Sequence, residues 1–83
     1  MTNEIIRQLI QERTDILEDV MRIQQKRQSQ HRYHGDQLRT LKYIAEHYCP
    51  NVHPDPRSLA IALRQHIRSL YSQLEILEGE VVS

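Results

Sequence analysis

Apolar side chains in this chain recur every three or four residues, and only two glycines and three prolines interrupt its 83 positions. That spacing gathers apolar groups on one side of a helix, whereas a turn-rich β fold needs strict alternation and many more turn residues. The fold class is therefore all-α. Size adds a second constraint. A single domain this short buries only roughly 60% of the surface its unfolded chain exposes. With no Phe or Trp, the core must be built from aliphatic residues and four tyrosines. A lone copy is marginal on those terms, so a second copy or a protein partner is expected to complete it.

The periodicity predicts a long helix, a short helix and a long helix, over about residues 3–33, 36–49 and 56–78, forming a helical hairpin or three-helix bundle completed by dimerisation. They make one domain spanning residues 1–83. Thr2 is a fitting N-cap for the first helix. Ile5, Ile6, Leu9, Ile10, Ile16, Leu17, Val20, Met21 and Ile23 then fall within an arc of about 160° at 100° per residue. Gly35 reads as a helix stop and Asp36 as the next N-cap, followed by Leu38, Leu41, Ile44, Ala45 and Tyr48 on one face. Pro50, Pro54 and Pro56 break the backbone, and Asp55 before Pro56 is a cap followed by proline at the first helical position. The third stripe is Leu59, Leu63, Ile67, Leu70, Leu74 and Leu77, spaced like a coiled-coil seam. Gly79 is expected to end it, leaving residues 79–83 as a frayed tail.

Zero net charge hides segregated blocks. Residues 1–19 set Arg7 and Arg13 against Glu4, Glu12, Asp15, Glu18 and Asp19. Residues 20–45 set Arg22, Lys26, Arg27, Arg32, Arg39 and Lys42 against Asp36 alone, with Tyr33 and Tyr43 among them. Basic residues interleaved with exposed tyrosines suit a protein interface, so Arg22, Lys26, Arg27, Arg32, Tyr33, Arg39, Lys42 and Tyr43 are the candidate partner-binding residues. Nucleic acid is not expected as a partner. No helix-turn-helix spacing or zinc-finger pattern is present, and the overall balance is neutral.

Arg13 sits at the centre of the first apolar arc. A guanidinium stays charged, and burying it unpaired costs several kcal/mol, so it must meet an acid, carbonyls or an anionic ligand. Gln24 lies on the same face, and His66 lies at the edge of the third stripe. Arg13, Gln24 and His66 read as buried polar residues that set helix register, as a polar residue does in a coiled-coil seam.

Seven first-helix residues, Leu9, Ile10, Glu12, Arg13, Ile16, Val20 and Arg22, form a pattern that resembles the first helix of the all-helical chorismate mutases. Asp36 with Arg39, and Ser69 with Gln73, resemble that family's later pairs. The resemblance implies a helical dimer enclosing its active sites, with Arg13, Arg39 and Gln73 binding a dicarboxylate and its ether oxygen and stabilising a charge-separated transition state electrostatically. The chain departs from the pattern at Gln24, where the family has a catalytic lysine, and at Thr40, where it has a glutamate.

His31, His34, His47, Cys49 and His53 bracket the second helix and carry donor atoms suited to zinc. They follow no Cys-x-x-Cys or His-Glu-x-x-His spacing, so neither a metal nor any other cofactor is expected. One cysteine suits a reducing compartment, no export signal opens the chain, and no apolar run approaches ~18 residues. The expected setting is the cytoplasm, without a membrane span. These features together point to a small non-catalytic helical regulator, inhibitor or adaptor that binds another protein as a homodimer. The alternative is a chorismate-mutase-like enzyme with its site inside a helical dimer.

Overall fold

A computed structural model describes the backbone of residues 2–30 and 35–82 and the side chains of residues 2–26 and 35–79. It contains three helices, α1 (Asn3–Gln30), α2 (Gly35–Tyr48) and α3 (Pro56–Val82), and no strand among the described residues. The caps follow local chemistry. Thr2 Oγ1 accepts a hydrogen bond from the Ile5 amide at 3.3 Å, closing the first turn of α1. At α3, Asp55 Oδ1 accepts from the Ser58 amide at 3.0 Å. Burial opposes the charge on Asp55, but the Ser58 amide and hydroxyl, His53 and the Arg57 amide outweigh it and hold the carboxyl below its ordinary value. Pro56 opens α3, where its missing N–H costs nothing.

The two long helices run antiparallel. Ile6 and Ile10 near the start of α1 cluster with Leu74, and Ile67, Leu70 and Leu77 pack beside them. At the other end, Val20 and Ile23 meet Leu59 and Leu63, and here α2 inserts Leu41, Ile44 and Ala45. The molecule is thus a three-helix bundle at one end that narrows to a two-helix arm, with extents of 53 × 22 × 16 Å. The length mismatch produces this shape. The 14 residues of α2 span about 21 Å, half of what the 28 residues of α1 reach. No helix among the described residues is long and apolar enough to cross a membrane.

Several boundaries differ from the sequence expectation. Gly35 begins α2 instead of stopping the helix before it, and Asp36 lies inside the first turn of α2. α2 ends at Tyr48, one residue before its expected end. The 31–33 end expected for the first helix lies outside the described residues. Gly79 does not end α3, which continues to Val82, so residues 79–82 are helical backbone. A glycine stops a helix by turning left-handed, and Gly79 does not. It therefore carries only glycine's entropic cost. Because a Cβ at this position meets nothing within 4 Å, Gly79→Ala should stabilise the fold by about 0.5–1 kcal/mol. A lowered thermal midpoint would mean that Gly79 works as a left-handed cap.

Exposure also corrects the apolar faces. Leu38, expected on the buried side of α2, is 51% exposed. Ile5 and Met21, at the two margins of the α1 arc, are also exposed. The centre of each stripe is buried as its spacing requires, with Ile6, Val20, Leu41, Leu59 and Leu63 almost wholly enclosed. Each such side chain contributes roughly 1.5–3 kcal/mol through burial.

Candidate functional site

Arg13 marks the place where the bundle becomes the arm. Its side chain is only 22% exposed and pairs with the Glu12 carboxylate. Its guanidinium carbon lies 5.3 Å from the centroid of the Tyr48 ring, at the end of α2. A cation above an aromatic face keeps its electrostatic compensation where water is partly excluded. The sequence demand that Arg13 find a partner is met by one carboxylate and one ring. Burial pushes the neighbouring Cys49 thiol above its ordinary value, and the Arg13 charge offsets part of that.

Below Arg13, a groove of about 200 Å³ is lined by Leu9, Arg13, His66, Ser69 and Leu70. It continues the α1–α3 seam beyond the point where α2 stops. Gln73 lines the next groove along, with Ile6, Ile76 and Leu77. Arg39 stands elsewhere, 80% exposed and paired with Asp36. Nine residues separate it from Tyr48, about 14 Å along α2. One copy of the chain therefore brings Arg13 and Ser69 together, sets Gln73 one turn further along α3, and leaves Arg39 apart. Among the expected register residues, Arg13 and Gln24 are half-buried, but His66 is exposed, because α2 ends before it can cover that position.

The basic end is less basic than its charge count. Arg22 pairs with Asp19 at 2.8 Å, and Arg39 with Asp36. Two cations of the expected patch are thus satisfied within their own helices. Helices α1 and α2 gather Arg22, Lys26, Asp36 and Thr40 around a polar cleft of about 240 Å³. Lys42 and Tyr43 are exposed on α2. The Tyr43 ring stacks on His47 with centroids 4.0 Å apart, and His47 Nδ1 lies 3.0 Å from the Tyr43 carbonyl oxygen. Arg32, Tyr33, His31 and His34 lie outside the described residues, as does the Arg27 side chain. No three His, Cys, Asp or Glu side chains among the described residues are grouped to hold a metal ion. Cys49 is buried and His53 is exposed.

Sequence reasoning passed over one surface. On the side of the arm away from Ser69, Thr14, Leu17, Arg64, Ile67, Arg68 and Tyr71 line a groove of about 470 Å³, more than twice the volume at Arg13. The signal was present. Arg64, Arg68, Tyr71, Glu75 and Glu78 recur at helical spacing, but a search for apolar stripes does not register a charged one. Comparison with family models, with curated proteins and with solved structures finds no match to this chain.

Proposed function

We propose that this chain is a small non-catalytic helical regulator, inhibitor or adaptor that acts by binding another protein, and that it works as a homodimer. The observation that carries the reading is the uncovered arm. Helix α2 shields one half of the α1–α3 seam, while on the other half Ile5, Tyr71 and Ile76 are 46%, 51% and 62% exposed. Ile67, Leu70 and Leu77 are only partly buried there. Apolar groups left uncovered along both helices of the arm suit a protein contact. The polar end, with Lys26, Lys42 and Tyr43, then faces the partner, and Arg13 with Gln24 keeps the long helices in register. A cytoplasmic setting keeps the free thiol of Cys49 reduced.

A second reading is favoured by one observation, the shared groove of Arg13 and Ser69. It is a chorismate-mutase-like enzyme in which a second copy completes the site and Arg13, Arg39 and Gln73 hold the substrate. One experiment separates the two. The purified protein is expected to leave chorismate unconverted and to capture one specific partner, and Lys26→Glu with Lys42→Glu should abolish the capture. Conversion of chorismate to prephenate that Arg13→Ala removes, with helical circular dichroism intact, would overturn the adaptor reading in favour of the enzyme.

A further inference from the structure

The face of the arm carrying Tyr71 has a property that a contact between two identical copies requires. A two-fold interface places each residue against a different residue of the same surface, so its charges must be opposite about the axis. Along α3, Arg64 and Arg68 precede Tyr71 by seven and three residues, and Glu75 and Glu78 follow it by four and seven. Cations stand on one side of Tyr71 and anions on the other at nearly equal distances. The spacing of four, three, four and three keeps all five on one helical face. Two α3 helices laid antiparallel with their axis of symmetry at Tyr71 set Arg64 directly opposite the second copy's Glu78, and Arg68 within one residue of its Glu75. Parallel alignment would instead oppose like charges.

Shape agrees with charge. Tyr71 is 51% exposed and lines two grooves along the arm. One holds Thr14, Leu17, Ile67 and the two arginines, and the other holds Arg7, Ile10, Gln11 and Leu74. Each copy thus presents an aromatic knob with a hole on either side, the arrangement that interlocks facing helices. Neither Arg64 nor Arg68 pairs with a carboxylate among the described residues, Arg64 reaching only the Met21 sulfur at 3.9 Å. Glu78 already holds Arg7 within its own copy. The cleanest inter-copy pair is therefore Arg68 with Glu75.

We infer that a second copy of this chain docks antiparallel on the Arg64–Arg68–Tyr71–Glu75 face of α3, with Tyr71 at the two-fold axis. The inference rests on the homodimer reading above and assigns its surface. Apolar contact by Tyr71, Leu17 and Ile67 supplies the attraction, and the charges set direction.

Sedimentation velocity at micromolar concentrations, with circular dichroism as a control for folding, tests it. The wild-type chain should sediment as a dimer. Tyr71→Lys puts like charges together at the axis and should weaken association at least about thirtyfold, leaving helical monomers, since Tyr71 is half exposed and outside the buried core of one copy. Arg68→Glu or Glu75→Arg alone should each weaken the dimer about tenfold, because each change is felt twice across the two-fold. Arg68→Glu combined with Glu75→Arg should recover wild-type association. A dimer insensitive to these changes overturns the inference and leaves the homodimer reading standing on another surface. A wild-type chain that stays monomeric overturns both, whether or not another protein occupies this face.

Discussion

Leu63→Ala is expected to cost about 3–4 kcal/mol, a large share of the stability of the fold. Leu63 is fully enclosed in the three-helix cluster. Val20, Leu41, Ile44 and Leu59 belong to the same cluster, so helices on several sides resist collapse into the space that truncation leaves. A chain of 83 residues has about 4–12 kcal/mol of stability in total, so this single change approaches the lower bound. With a urea dependence of roughly 1 kcal/mol per molar, the midpoint should fall by about 3 M. The control is Leu38→Ala. Leu38 was expected on the buried face of α2 but is 51% exposed, and its truncation should shift stability by no more than about 0.5 kcal/mol. Both are measured at one protein concentration, since association adds to apparent stability. Equal losses at the two positions would show that α2 does not dock as described.

Cys49 in the native protein is expected to react with an aromatic disulfide reagent at least about a hundredfold more slowly than in urea. Two effects act together. The side chain is 2% exposed, and burial raises the thiol above its ordinary value despite the opposing Arg13 charge, so less of the reactive thiolate is present at neutral pH. The pH dependence has a definite sign. An acid whose folded value is raised contributes stability that is complete below its ordinary unfolded value and is lost as pH rises through the raised one. Stability should therefore decline on the alkaline side, and Cys49→Ala should remove that part of the decline. Native labelling as fast as in urea would mean that the end of α2 and the turn after it are open.

Much of this architecture was legible because it depends on neighbours in the chain. Thr2 and the Asp55–Pro56 pair cap helices through groups within three residues, and their hydrogen bonds are found where expected. The stripe from Leu59 to Leu77 packs along its length, as its spacing requires. Gly35 and Gly79 were misread because glycine ends a helix by adopting a conformation, and identity alone does not say whether it does. Arg13 was legible in part. Its charge in an apolar arc demanded compensation, but nothing local indicated that the Tyr48 ring, thirty-five residues later, would share that role with Glu12. The Arg64, Arg68 and Tyr71 surface went unread for the opposite reason, since exposed charges satisfy every local rule and acquire meaning only beside Thr14 and Leu17 from α1.

Helix number, order and core-facing sides follow from periodicity, which is a property of the chain at short range and needs no knowledge of what packs where. Even the shortness of α2 beside two long helices was visible before any fold was known. Its position was not. The turn from Cys49 to Asp55 returns the chain so that Leu41, Ile44 and Ala45 meet Val20, Ile23, Leu59 and Leu63. That choice of end leaves His66 wet, half-buries Arg13 against Tyr48, and opens the arm on both sides. Burial is decided by the combined surface of several elements in space. A one-dimensional pattern states which faces seek cover, and packing alone determines which of them receive it.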